Sequence, residues 1–216
     1  MDIAGALSVD HLKFLADGFK VTLYIAFVSI VLSFIIGIVL GTLRYAKIKF
    51  LSKVVAVIVE TIRNMPLLLI IFFTFFALPE VGLKLSPTAA AISALTLFES
   101  AMLAEIVRSG LNSIHKGQIE AARSSGLTYI QTLWHIVMPQ ALRRMVPPIV
   151  SQFISLLKDT SLCVIIALPE FMHNAQIIYA QNVNYVIPVF VVVALMYFIV
   201  NYCLSLIARR LESRQA

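Results

Sequence analysis

Apolar residues fall into five long blocks separated by short polar or basic stretches, and that alternation predicts the architecture. The blocks cover residues 18–43, 65–78, 88–110, 146–168 and 186–208. An α-helix of about 20 apolar residues crosses a hydrocarbon core of about 30 Å, so each block reads as a transmembrane span. The 65–78 block is the shortest and holds Pro66, which is tolerated where neighbouring helices re-satisfy the backbone. Residues 54–64 read as an amphipathic extension of that span, with Glu60 and Arg63 at the inner interface. Residues 1–16 set Leu12, Phe14 and Leu15 beside His11 and Lys13, the pattern of a segment lying on the outer surface. Residues 169–185 are polar but place Phe171, Ala175, Ile178 and Tyr179 at helical spacing, which predicts a second amphipathic helix on that surface. In the first block Gly37 and Gly41 make a G-x-x-x-G spacing that lets helices approach closely. The predicted fold class is an all-α integral membrane protein: five transmembrane helices in one domain over residues 1–216, with a cytoplasmic helix-turn-helix loop over 112–144.

Charge orients the spans. Arg44, Lys47, Lys49 and Lys53 follow the first block, Arg143 and Arg144 precede the fourth, and Arg209, Arg210 and Arg214 follow the fifth. Basic loops stay in the cytoplasm, which predicts an outside N-terminus and a cytoplasmic C-terminus in a bacterial cell membrane. Composition agrees, with 60% of residues hydrophobic and 13% charged, against about 25% charged in soluble domains. The net charge of +6 does not argue for nucleic acid, because the bases sit in loops between spans. Cys163 and Cys203 lie inside apolar blocks and read as packing residues, with no disulfide framework. A cleavable signal peptide is not expected, since Asp2, Asp10 and Asp17 crowd the start.

The polar segment 120–139 reads as a short helix, a glycine turn and a second short helix. Gly126 fits the position after a helix end, where positive φ carries no Cβ penalty. Thr128 starts the next helix, and Gln131 three residues on completes a capping box. Pro139 is expected to close the pair, because proline does not continue a helix interior. Ala121 and Ala122 beside Glu120 let another surface approach closely. Glu-Ala-Ala, three residues, Gly, nine residues, Ile, one residue, a hydrophobic residue and Pro resembles the cytoplasmic coupling motif of ABC importer permeases. Glu120, Ala121, Ala122, Gly126, Ile136 and Pro139 hold that spacing, with Met138 where leucine is usual. An ordinary amphipathic connector between spans is the plainer reading of the same segment.

Three ionisable residues fall near the middle of spans: Glu99, Lys158 and Asp159. A charge at the centre of a lone helix costs about 2.5–3.5 kcal/mol on insertion scales, so each needs a partner or a wet cavity. Glu99 and Lys158 are expected at similar depth, where they neutralise each other. Asp159 is turned about 100° from Lys158 by the helix repeat and faces elsewhere. Lys158-Asp159-Thr160-Ser161-Leu162 resembles a segment of polar amino-acid permeases, as do Arg63-Asn64-Met65-Pro66-Leu67-Leu68, Glu105 with Arg108 and Gly110, and Gly117-Gln118. On that resemblance Asp159, with Thr160 or Ser161 and Glu99, lines a substrate pathway, the Asp159 carboxylate meeting an α-ammonium group. An intersubunit ion pair or a helix–helix hydrogen bond is the structural alternative for Asp159.

The chain therefore resembles the membrane subunit of a binding-protein-dependent ABC importer, in the polar amino-acid branch, over residues 15–210. The resemblance implies a second permease subunit, cytosolic ATPase subunits that carry ATP and Mg, and an extracytoplasmic amino-acid-binding protein. Glutamine or glutamate is the substrate it suggests first. No G-x-x-x-x-G-K-[ST] phosphate loop occurs, so no ATP hydrolysis and no cofactor are expected on this chain. His135 and His173 lack companion ligands in sequence, and no metal site is expected. Two other classes compete: an ion-coupled secondary carrier using Glu99 and Asp159, and a membrane-anchored interaction protein. Five spans without an inverted repeat are an odd frame for the first, and mid-span charges disfavour the second.

Overall fold

A computed structural model describes residues 1–213, so Arg214 lies outside the described residues. One helical turn, Ile3–Ala6, precedes a long helix α1, Val9–Tyr45, whose N-terminus is capped by the Ser8 hydroxyl accepting from the His11 amide. Most of the expected outer-surface segment is thus the first turns of α1. Leu15 is buried there against Phe171, Ile178 and Val189, and burial on this apolar cluster outweighs the polar neighbours that suggested a surface strip.

The second block is not one straight span with an extension. Helix α2, Leu51–Arg63, and helix α3, Leu67–Val81, meet at an elbow of 100°. Pro66 has no amide hydrogen and biases the residue before it away from helical backbone. Its own ψ of 128° is extended, and the Asn64 side chain closes α2 by donating to the Glu60 carbonyl at 2.7 Å. After its first turns α3 widens into a π turn, Phe73–Ala77, and tightens into a 3-10 turn, Leu78–Val81.

Helix α4, Pro87–Asn112, packs along α1 at the centre of the bundle. Gly37 and Gly41 make this contact possible. A Cβ on Gly41 would sit 2.6 Å from the Ala104 carbonyl oxygen, and one on Gly37 would sit 2.6 Å from the Leu103 Cβ. Helix α5, Lys116–Ser124, then leads through a glycine turn to helix α6, Tyr129–Ile166. Pro139 does not end a helix as expected. The π turn Leu133–Val137 widens the backbone just before it, and the Gln140 amide donates to the Ile136 carbonyl at 2.8 Å. The ring is accommodated and the helix runs on through Pro147 and Pro148 to Asp159, followed by a 3-10 stretch, Thr160–Ile166. Ala167 turns the chain with φ of 52°.

Helix α7, Phe171–Gln181, corrects the surface-helix expectation for 169–185. Phe171, Asn174, Ala175 and Ile178 are buried between α1 and the final helix α8, Val186–Ser213. Its spacing was that of a core helix. Helices α1, α4, α6 and α8 are each long and apolar enough to cross a membrane, and the bent α2–α3 pair meets the same test only when taken together, which gives up to five spans among the described residues.

Candidate functional site

The loop between α4 and α6 is built by local rules. The His115 ring nitrogen accepts from the Gly117 amide at 3.1 Å and starts α5. Gly126, at φ of 91°, ends it: the Gly126 amide donates to the Arg123 carbonyl and the Leu127 amide to the Ala122 carbonyl. This paired arrangement needs a left-handed residue, which glycine supplies without strain. Thr128 and Gln131 then form the expected capping box, with both reciprocal bonds present at 2.8 and 3.3 Å. Glu120 and Ala121 are exposed, Ala122 is buried beneath them, Gly126 and Pro139 are exposed, and Ile136 is half-buried. Beside them stand three large apolar side chains in the open, Tyr129, Ile130 and Trp134, the last at 63% exposure. Sequence reading placed Trp134 here but missed the patch, because spacing alone does not reveal which apolar residues lack a covering element.

A second polar group lies mid-span. Glu99 on α4 is 1% exposed, and its Oε2 accepts from the Gln152 amide of α6 at 3.1 Å, while its Oε1 has no partner. Asp159 lies seven residues beyond Gln152, within about 20° of the same helix face. The expected Glu99–Lys158 pair does not form. Lys158 is turned about 120° from Gln152 and is exposed beside Tyr197, Asn201 and Tyr202 of α8. The Thr160 hydroxyl is buried and donates to the Leu157 carbonyl, and the Ser161 hydroxyl to the Lys158 carbonyl. Both are engaged with their own helix. Gln152 went unremarked in the sequence, although its seven-residue step from Asp159 was readable.

Near the loop between α4 and α6, five charges join α1, α2 and α4. Arg44, whose side chain is 9% exposed, donates to Glu105 at 2.8 Å and to Glu60 at 3.0 Å. Arg63 reaches both carboxylates, and Arg108 donates to Glu105 through Nε at 3.0 Å and through Nη2. Single charges were visible in sequence, but their convergence depends on the α2–α3 elbow. At the opposite end, between α6 and α7, Glu170 is fully buried. It accepts from the Met172 and His173 amides at 2.9 and 2.7 Å and from the Thr22 hydroxyl at 3.2 Å. Burial pushes its carboxyl up to about 7 in spite of these three donors. Among the described residues no three His, Cys, Asp or Glu side chains converge as metal ligands do.

An exposed helical knob outside the spans and a carboxylate seam within them are the two features that need partners beyond this chain. Comparison with known proteins gives them a context. The chain is 73% identical over 217 residues to the probable glutamine ABC transporter permease protein GlnP of Bacillus subtilis (strain 168), covering all of both proteins. It is 38% identical to the probable glutamine ABC transporter permease protein GlnM of the same organism, over 95% of this chain and 94% of that one. Its fold matches a crystal structure of an amino acid ABC transporter with histidines at a TM-score of 0.89 and 28% identity, covering 95% of this chain and 96% of that chain. The family described as binding-protein-dependent transport system inner membrane component matches residues 22–216. This chain belongs to that family of transport-system membrane components.

Proposed function

We propose that this chain is the membrane-spanning permease of an ATP-driven importer for polar amino acids, with glutamine as the first substrate and glutamate the next. The observation that carries the substrate class is the mid-span seam, where buried Glu99 keeps one carboxylate oxygen unpartnered and Asp159 shares the face of Gln152. Two carboxylates in an apolar bundle suit the α-ammonium group of an amino acid. Asp159 and Glu99 line the pathway; Thr160 and Ser161 hold its backbone in shape, since their hydroxyls bond to their own helix. Full-length likeness to a probable glutamine permease supports glutamine.

The knob of α5 and the start of α6 docks on a cytosolic ATPase subunit, which carries ATP and Mg. Glu120, Ala121, Ala122, Gly126, Ile136 and Pro139 shape it, and Tyr129, Ile130 and Trp134 supply apolar contact. Closure of the ATPase pair moves these knobs, and the spans switch as rigid bodies to accept substrate from an extracytoplasmic binding protein. A second permease subunit completes the pathway. The basic loops favour an outside N-terminus and a cytoplasmic C-terminus.

The test is purification of the tagged chain in mild detergent, with an assay of ATP hydrolysis. Co-purification of an ATPase stimulated by a binding protein plus glutamine is expected, with stimulation lost in Asp159→Asn while the subunits stay together. A chain that purifies alone and drives uptake in liposomes from an ion gradient would overturn the proposal.

A further inference from the structure

Toward the coupling loop from the Glu99–Gln152 contact, the seam between α4 and α6 opens into a cavity of about 330 Å³. Its walls follow the same faces as the mid-span site. Pro148 and Arg144 lie at successive four-residue steps from Gln152 along α6, and Ile106 lies two turns from Glu99 along α4. The volume falls in the range of small-molecule sites, about 300–1,000 Å³.

The charges lining it are unequal in their commitments. Arg144 donates through Nη1 to the Ser113 carbonyl at 2.6 Å and to the Ser113 hydroxyl at 3.2 Å. That fixes the guanidinium and leaves Nε and Nη2 as a free fork. Among the described residues no carboxylate is within ion-pair distance of Arg144. Glu105 on the facing wall is already committed, its two oxygens shared among Arg44, Arg63 and Arg108, with the exposed Ser109 one turn along α4. The free guanidinium edge complements the carboxylate of an amino acid.

We propose that this cavity is the release subsite for the amino acid, where the Arg144 fork receives the α-carboxylate beside Ser109. This rests on the import reading above and adds a second station, two helical turns nearer the cytosol than Glu99. A planar fork with one nitrogen pinned is preorganised for a carboxylate, which is the geometry at which Arg surpasses Lys.

The experiment uses inside-out membrane vesicles that carry the assembled transporter. Ser109→Cys is introduced after Cys163→Ser and Cys203→Ser, and its alkylation by a membrane-impermeant reagent is timed. Glutamine at four times its dissociation constant is expected to slow alkylation about fivefold. Arg144→Gln abolishes the protection, and Arg144→Lys, which keeps the charge without the fork, shifts it to higher glutamine concentration. Protection undiminished at that same glutamine concentration in either Arg144 variant overturns the subsite, as does protection by inorganic phosphate but not by glutamine. Unprotected alkylation in vesicles whose parent cells take up labelled glutamine overturns the subsite and leaves the import reading standing. Loss of all polar amino-acid uptake by the unsubstituted transporter removes the import reading and the subsite with it.

Discussion

Replacing Glu170 with glutamine should remove a pH dependence from the stability of the whole bundle. Glu170 sits in the turn between α6 and α7, fully buried, with its carboxyl raised from 4.5 to about 7 by burial. The folded chain therefore keeps this proton up to about pH 7, whereas the unfolded chain releases it near 4.5. Between those values the folded state binds more protons, so stability is highest at and below about pH 4.5, falls as pH rises toward 7, and is level above. A rise of that size corresponds to about 3 kcal/mol. Glu170→Gln also has a constant effect. A glutamine nitrogen placed at Oε1 leaves the His173 amide without an acceptor, for about 1–3 kcal/mol at every pH. The two effects separate in a comparison of melting by circular dichroism in detergent at pH 5 and pH 8. The wild-type advantage over Glu170→Gln should shrink from the lower to the higher pH. Curves that run parallel across that range would refute the reasoning.

Three further outcomes follow from packing and charge. Gly41→Leu should abolish a monodisperse peak in size-exclusion chromatography, because its Cβ meets the Ala104 oxygen and Val107; overpacking alone costs about 1–3 kcal/mol. The exposed Ile38→Leu should behave as wild type in the same run. Glu105→Gln should lower the melting temperature more than Glu60→Gln, since Glu105 bridges Arg44 and Arg108 at 20% exposure and Glu60 is half exposed. Removing one partner of a buried pair costs about 3–5 kcal/mol, whereas an exposed pair contributes about 0–1 kcal/mol; equal shifts would contradict the ordering. Trp134→Ala should leave melting unchanged within about 0.5 kcal/mol, as for other exposed positions, and reduce ATPase recovery in the pull-down; full recovery would dismiss the apolar patch as a dock.

What the sequence made legible was local. The end of α5 and the capping box at Thr128 were readable because a left-handed glycine and a reciprocal cap involve residues two to five positions apart. The close approach at Gly37 and Gly41 was readable because spacing and small size suffice to state it. Lys158 shows the limit: the expected pair with Glu99 does not form, since Glu99 meets Gln152, six residues earlier on α6, and pairing depends on which neighbour each face of α6 meets. Pro139 was misread because a π turn can reshape a helix around a proline, and nothing in the one-letter pattern marks that turn. The segment 169–185 was placed on the surface because its polar residues were counted as solvated, whereas Glu170 and Asn174 are buried and bonded to α1. The Arg44–Glu60–Glu105 network depends on a 100° elbow that a single proline only hints at.

That elbow also has a consequence for the bilayer. Helix α3 rises about 23 Å over Leu67–Val81, against a hydrocarbon thickness of about 30 Å. It falls roughly 7 Å short of crossing on its own, by the same dimensions. Asn64, Met65 and Pro66, at its inner end, are exposed. Non-helical backbone at membrane depth is stable only where protein covers it or water reaches it. The elbow therefore has to be covered by another protein surface or reached by water, a demand that none of the straight spans makes.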